Sequence, residues 1–302
     1  MNIGAEAPVT HARPGRLSVL PLSTLLLAVV LPVISPASLR SDQPATPAAS
    51  SLPASEAQAK AALERSPRHG EYVEVKLAGA ERPLRAWVVY PERKDKAPVV
   101  IVIHEIFGLS DWIRAVADQL AKDGFIAIAP DLISGKGPGG GGTDSVPSRD
   151  DVVKLVTSLA PADVQARLDA TRAYAIHLPA AFDKTATVGF CWGGTASFAY
   201  AATQPTLNAA VVYYGTPPPP AAMANVKAAV LGLYGGDDAR VTSTVDATKA
   251  EMAKLGKAYE SEVFPGAGHG FLRAQEDRNG ANLKATEQAW PRTIALLRRS
   301  LR

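Results

Sequence analysis

The sequence predicts an α/β fold in which a mostly parallel sheet is flanked by helices on both faces. Short apolar runs, typical of strands buried on both sides, alternate with segments whose apolar residues recur at helical spacing. Strands that alternate with amphipathic helices pair in parallel through right-handed crossovers. The chain has 302 residues, of which 47% are apolar, and this is ample for a large buried core.

The first two β-rich runs, residues 71–77 and 84–90, are separated by Gly79 and Pro83, which predicts an antiparallel pair at the sheet edge. The later predicted strands are residues 99–103, 125–129, 185–190, 209–214, 228–234 and 259–264. The predicted helices are residues 111–123, 149–159, 162–177, 196–202, 243–255 and 284–299. Their alternation is the pattern on which the fold class rests.

Residues 1–37 have the pattern of a secretory signal peptide. Arg13 and Arg16 precede an uncharged stretch, residues 17–34, and small residues at positions 35 and 37 fit a cleavage site. We therefore expect an exported protein, periplasmic or secreted, with no stable membrane association after cleavage. An uncleaved membrane anchor is the alternative, because the uncharged stretch approaches the length that spans a bilayer.

Two further segments are distinguished by composition. Residues 38–66, rich in Ala, Pro and Ser, are predicted to be a linker, in which residues 55–58 fit the start of one short helix. The folded domain is then expected over residues 67–302. The glycine-rich residues 135–148 are expected not to pack and to form a mobile surface loop, either a passive insertion or a flap beside the functional site.

Composition excludes several classes of partner. The 32 basic and 29 acidic residues leave a net charge of +3, which gives no reason to expect a nucleic acid or an anionic membrane as partner. The single cysteine excludes an intramolecular disulfide, and no Cys/His cluster indicates zinc. We expect neither a metal nor a cofactor.

That cysteine, Cys191, stands in the most informative stretch. A predicted strand ends in the sequence Gly-Phe-Cys-Trp-Gly-Gly, residues 189–194, and a helical segment follows. This is the pattern of a nucleophile elbow with sulfur in place of the serine oxygen. Its glycines are required because side chains beside so tight a turn would collide. The thiol is expected at a helix N-terminus, where the dipole favours the nucleophilic thiolate.

A catalytic cysteine needs a base and a group that orients the base. In the nucleophile-acid-histidine order, only His269 of the five histidines follows Cys191, and glycines flank it. The acid should follow a strand between the two, where Asp237 and Asp238 stand. Either aspartate suits this role from the residues alone, and we prefer Asp238.

The sequence resembles the dienelactone hydrolase family of α/β hydrolases over roughly residues 70–302. The shared stretches are HEIFGL at 104–109, PDL at 130–132, GFCWGG at 189–194, GGDD at 235–238 and GHGFLR at 268–273. The resemblance implies an α/β-hydrolase fold, makes residues 67–302 the catalytic domain, and implies a triad of Cys191, Asp238 and His269.

Further roles follow from the resemblance. Glu105 matches a glutamate that contacts the resting thiol and can take up its proton, and a carboxylate beside sulfur disfavours the thiolate. The backbone N–H groups of Ile106 and Trp192 are expected to form the oxyanion hole. Phe107 is expected to wall the pocket. The resemblance also implies that Arg273 and Arg149 bind a substrate carboxylate, which suits the guanidinium fork.

These observations predict hydrolysis of an activated ester or lactone through a cysteine thioester, as in dienelactone or carboxymethylenebutenolide hydrolysis. The expected partner is a small-molecule ester or lactone bearing a carboxylate, and the protein is expected to be a monomer. Two alternatives are a non-catalytic protein of the same fold that binds small carboxylates, and a broader carboxylesterase.

Overall fold

An eight-stranded sheet organises residues 52–302, the part of the chain that the structure, a computed structural model, describes. The strand order is β1-β2-β4-β3-β5-β6-β7-β8. The strands are β1 (Gly70–Val75), β2 (Leu84–Val89), β3 (Ala97–Ile103), β4 (Ile126–Pro130), β5 (Ala181–Phe190), β6 (Ala209–Tyr213), β7 (Ala229–Gly235) and β8 (Tyr259–Phe264). β2 pairs antiparallel with β1 and β4, and all other pairs are parallel. The predicted α/β-hydrolase fold is thus confirmed, including the antiparallel edge pair.

The helices of the described residues cover both faces of this sheet. They are α1 (Glu56–Glu64), α2 (Asp111–Lys122), α3 (Arg149–Thr157), α4 (Pro161–Ile176), α5 (Trp192–Thr203), α6 (Pro220–Met223), α7 (Ala239–Thr242), α8 (Val245–Lys254) and α9 (Ala281–Ser300). Successive β3 side chains point to opposite faces, so Val102 packs in the core beneath α1, α2 and α9. Its neighbour Ile101 packs in the core beneath α3, α4, α5 and α8.

The segment before β1 belongs to the folded domain. Helix α1 begins within residues 55–58, as predicted, and buries Ala59 against the core. Ahead of it, the indole N–H of Trp112 donates to the Ala54 carbonyl at 3.1 Å, and the Gln275 amide donates to the Pro53 carbonyl at 2.9 Å. The predicted boundary at residue 67 is therefore too late, because backbone groups hold a segment whose composition is typical of a linker. Residues 1–51, with the predicted signal peptide and the start of the linker, lie outside the described residues.

The glycine-rich residues 135–148 lie largely at the surface, but contrary to expectation Thr143 anchors them to the domain. The Thr143 backbone and hydroxyl both donate to the Asp131 carboxylate, at 2.6 and 2.8 Å. The same hydroxyl accepts from the Leu109 N–H at 3.0 Å. One threonine thus ties the loop to the end of β4 and to the segment after β3. Of the two predicted alternatives, the position beside the functional site fits this placement.

Parallel pairing brings distant residues to one sheet edge. Ile103, the last residue of β3, pairs with Gly189 near the end of β5. Gly235 and Phe264, the last residues of β7 and β8, pair with each other. The segments that follow these four strands, which contain eight of the nine predicted site residues, therefore share the carboxyl edge of the sheet. Arg149 follows β4, which is parallel to β3 and ends at the same edge. Within residues 52–302, no helix combines the length and the apolar character needed to cross a bilayer.

Candidate active site

Cys191 occupies a strained turn between β5 and α5. Its φ of 54° and ψ of −117° lie outside the regions that side-chain-bearing residues prefer. A Cβ on Gly189 would lie 2.0 Å from the Gly193 carbonyl oxygen, and a Cβ on Gly193 would lie 2.3 Å from that of His104. The Cys191 N–H donates to the Tyr213 carbonyl at 3.0 Å. The predicted elbow geometry is present, and backbone contacts hold it.

His269 and Asp238 form a direct pair. The His269 Nδ1 lies 2.5 Å from the Asp238 carboxylate, which is largely buried, whereas the imidazole is one-third exposed. Such a pair keeps the proton on Nδ1 and leaves Nε2 as the basic nitrogen. Asp237 instead meets the exposed Arg278 guanidinium at 2.9 Å. Of the two aspartates that the sequence left open, the preferred Asp238 is the one at the histidine.

Glu105 is buried at the end of β3, and its carboxylate lies 3.0 Å from the Arg273 Nε. Burial is the main cause that raises the pKa of Glu105 to about 7. The Arg273 charge opposes this shift, and the neighbouring Glu56 charge adds to it. At neutral pH this carboxyl group is therefore partly protonated. It can accept or release a proton within the physiological range.

The thiol of Cys191 is held in its neutral form. Burial raises the pKa of Cys191 to about 11, and the Glu105 charge adds to this shift. A hydrogen bond from the Trp192 backbone N–H to the sulfur acts in the opposite direction. This N–H, predicted for the oxyanion hole, is thus directed at the reactive atom. At neutral pH Cys191 is therefore a thiol, and reaction requires removal of its proton.

His104, fully buried, holds the loop that carries Ile106. Its Nδ1 lies 2.7 Å from the Glu105 carbonyl, and its Nε2 accepts from the Leu132 N–H at 3.1 Å, so the ring donates on one side and accepts on the other. It also stacks on Trp192, with 5.8 Å between ring centroids. Burial lowers the pKa of His104 and keeps it neutral. Sequence reasoning assigned no role to His104 itself. Its place in the HEIFGL stretch, next to Glu105 and Ile106, is the feature that could have indicated one.

The two predicted arginines both lie over the ring of Phe107. The Arg149 guanidinium carbon is 3.6 Å from the centre of the ring, and that of Arg273 is 5.3 Å away. Both guanidinium groups also bond one carboxylate, that of Glu56 in α1. It accepts from Arg149 at 3.1 Å and from the Arg273 Nη1. Sequence reasoning missed Glu56, since no local pattern in the predicted linker marked it.

All nine predicted site residues thus belong to segments at one sheet edge, and the contacts above link six of them into two groups. The first is Cys191 with Trp192. The second is Glu105 with Arg273, Arg149 and Phe107, to which Glu56 is added. His269 with Asp238 forms a pair of its own, and the charges of Glu105 and Asp238 both act on the sulfur. Within residues 52–302, no group of three or more His, Cys, Asp and Glu side chains is placed to hold a metal ion.

The sequence pattern of the dienelactone hydrolase family matches residues 84–301. The chain belongs to this family. A protein of Methylorubrum extorquens, provisionally named carboxymethylenebutenolidase, is 34% identical over 211 residues, which cover 66% of this chain and 71% of the relative. A protein of Escherichia coli with the same provisional name is 32% identical over 221 residues, covering 69% and 80%.

Solved structures agree with this assignment. The crystal structure of a protein of Klebsiella pneumoniae, provisionally described as a dienelactone hydrolase, superposes with a TM-score of 0.67 at 29% identity and covers 76% of this chain and 98% of its own. A dienelactone hydrolase-like promiscuous phosphotriesterase from metagenomic libraries shares the fold, with a TM-score of 0.66 at 22% identity over 78% and 99% of the two chains. Membership of the family makes this protein an ester hydrolase.

Proposed function

We propose that this ester hydrolase cleaves activated esters and lactones through a thioester on Cys191. The observation that carries the proposal is the pairing of His269 with Asp238 at the sheet edge where the Cys191 turn also lies. This arrangement supplies a nucleophile, a base and a group that orients the base.

The first chemical step removes the thiol proton. Glu105, whose pKa is about 7, is matched to accept this proton at neutral pH, whereas the thiol, whose pKa is about 11, is not ionised by itself. Transfer of the proton to Glu105 also removes the negative charge that disfavours the thiolate. Protonation of the carboxylate and activation of the sulfur are therefore one event.

Acylation and deacylation follow. The thiolate attacks the substrate carbonyl, the S–C bond forms, and the N–H groups of Trp192 and Ile106 stabilise the oxyanion. Collapse breaks the C–O bond, and the leaving oxygen departs with the electron pair. Water, deprotonated by the His269 Nε2, then attacks the thioester and releases the acid. The proton on His269 passes to the departing sulfur, and Glu105 releases to solvent the proton that it took from the thiol. Enolate or phenolate leaving groups suit this path, because they depart without strong help from a general acid.

The test is a single-turnover reaction with 4-nitrophenyl acetate. We expect a burst of nitrophenolate and an acetyl group on the peptide that contains Cys191, both absent from Cys191→Ala. Cys191→Ser is the matched variant, and it is expected to be weak because its surroundings suit a thiol. Turnover retained by Cys191→Ala would exclude the thioester. Equal rates on enol lactones, aryl esters and simple alkyl esters would favour the broader carboxylesterase.

Two expectations from the sequence lie outside the active site and are proposed here. Residues 1–37 are removed on export, and the mature protein is a monomer. N-terminal sequencing of the protein from the extracytoplasmic fraction tests the first, and recovery with an intact Met1 from the cytoplasm would contradict it. Sedimentation at micromolar concentration tests the second.

A further inference from the structure

Four charged side chains, two of each sign, form one cluster, and the charge of one of them, Glu105, acts on the Cys191 sulfur. Glu56 bonds both Arg149 and Arg273, and Glu105 lies 3.0 Å from the Arg273 Nε. Whenever Glu105 is ionised, the two carboxylates balance the two guanidinium groups. The arginine pair then offers no net positive charge to an incoming ligand.

The fold places Glu56 there. Its backbone N–H donates to the Arg273 carbonyl at 2.9 Å, and the carbonyls of Pro53 and Ala54 accept from Gln275 and Trp112. An exposed ion pair between flexible side chains contributes little free energy by itself and does not fix the position of either side chain. Here three hydrogen bonds from separate parts of the chain hold the backbone next to the carboxylate, so its position is built into the domain.

Glu56 occupies the donors that a substrate carboxylate needs. Both arginines lie over the ring of Phe107, on the loop that also carries Glu105 and Ile106, the residue proposed to help form the oxyanion hole. A carboxylate on the acyl group would have to displace Glu56 from the two guanidinium forks. An uncharged acyl group would not.

We propose that Glu56 is a specificity-determining residue, which neutralises Arg149 and Arg273 and so directs the enzyme to uncharged acyl groups in preference to carboxylate-bearing ones. The proposal rests on the proposed function only in locating the site at Cys191. Glu56 lies before residues 84–301, the part of the chain that matches the family pattern. The charge preference is therefore set by a residue outside the part of the chain that matches the family pattern.

The test uses two alkylating reagents of similar size, iodoacetate with a carboxylate and iodoacetamide without one. Cys191 is the only cysteine of the chain, so loss of free thiol reports this site alone. At about pH 8.5, Glu105 is ionised both in the wild type and in Glu56→Gln. We expect Glu56→Gln to raise the ratio of the iodoacetate rate to the iodoacetamide rate about three- to tenfold, as one freed positive charge in partly aqueous surroundings predicts. The ratio cancels any change in thiol reactivity common to both reagents.

Glu64→Gln is the matched control, because it removes the same charge from an exposed position on the same helix. We expect its ratio to equal that of the wild type, and the gain in Glu56→Gln to shrink as ionic strength rises. An unchanged ratio in Glu56→Gln, or an equal rise in Glu64→Gln, would overturn the proposal.

A matched pair of substrates extends the test to catalysis. We expect Glu56→Gln to raise kcat/KM for mono-4-nitrophenyl adipate relative to 4-nitrophenyl hexanoate by a similar factor. Alkylation distinguishes the two proposals, since it needs no hydrolysis. If Glu56→Gln shifts the alkylation ratio but hydrolysis does not depend on Cys191, only the thioester proposal is refuted. Cys191-dependent hydrolysis with an unshifted ratio refutes the role of Glu56 alone.

Discussion

The turn around Cys191 and the charged cluster of Glu56, Glu105, Arg149 and Arg273 lie at the same sheet edge, but different parts of the chain hold them. Backbone atoms within a few residues of one another, together with the neighbouring strands, hold the turn. Side chains from four separate segments hold the cluster. The turn depends on close steric contact, which tolerates no change of shape. The cluster depends on a balance of charges, which single substitutions can shift without loss of the fold.

The largest expected effect is the loss of activity on changing Asp238, the carboxylate paired with His269. Asp238→Asn should lower kcat/KM for 4-nitrophenyl acetate about 10³- to 10⁴-fold, because the amide no longer holds the proton on Nδ1 of His269. Asp237→Asn, a neighbouring change at a half-exposed carboxylate bonded to Arg278, should stay within about twofold of the wild type. Equal losses in the two variants would contradict the assignment of Asp238.

The turn itself predicts a large loss of stability. Gly189→Ala places a Cβ where the Gly193 carbonyl oxygen lies 2.0 Å away, and backbone on both sides cannot move aside. The free energy of unfolding should fall by about 3 kcal/mol, as for severe overpacking. Urea denaturation followed by circular dichroism measures this loss. Gly256→Ala, where the surrounding space is open, should cost only about 1 kcal/mol, the strain of its positive φ. A smaller loss in Gly189→Ala than in Gly256→Ala would show that the turn is not sterically closed.

The cluster predicts a smaller effect that depends on pH. Glu105→Gln removes a negative charge that raises the pKa of Cys191, so iodoacetamide should alkylate the variant about fivefold faster at pH 8.5. The pKa of Glu105 is about 7, and below it the wild-type carboxyl is protonated and neutral like the glutamine. The two rates should therefore converge near pH 5.5. Glu64→Gln is the control for charge alone, and a difference that persists at pH 5.5 would mean that Glu105 acts through packing.

The smallest predicted effect concerns the loop beside the site. Thr143→Val keeps the shape of the side chain but removes its hydrogen bonds to Asp131 and to the Leu109 N–H. The free energy of unfolding should fall by about 1–2 kcal/mol, measured by urea denaturation. Thr157→Val, an exposed threonine bonded only within its own helix, should change it by less than about 0.5 kcal/mol. No difference between the two would mean that the loop is not anchored through Thr143.

Sequence reasoning reached most of the fold and the chemistry of the site. The apolar runs of β3 to β7 could be recognised because a strand buried on both faces needs apolar side chains along its length. His269 could be located by its order in the chain, and Cys191 by the glycines beside it. The residues alone left Asp237 and Asp238 open, because two adjacent carboxylates in one turn look alike in sequence, and the family resemblance only supported the preference for Asp238. In the structure, Arg278 meets one and His269 the other.

Where sequence reasoning failed, the contacts were between distant segments. Glycine-rich residues 135–148 were predicted to form an unpacked loop. The residue that anchors them is a single threonine, Thr143, which no sequence pattern distinguishes. Residues 52–66 were predicted to be part of a linker because their composition is typical of a linker. The groups that hold them are backbone carbonyls, which leave no signal in the sequence because every residue has one.

The sequence by itself determined the turn around Cys191 and the chain order of the residues proposed to act with it, because local steric demands leave a direct trace in residue type. Only the tertiary structure decided which carboxylate meets His269 and which one meets Arg149 and Arg273. Charge acts through space rather than along the chain, so the partner of a charged group depends on how the segments are packed.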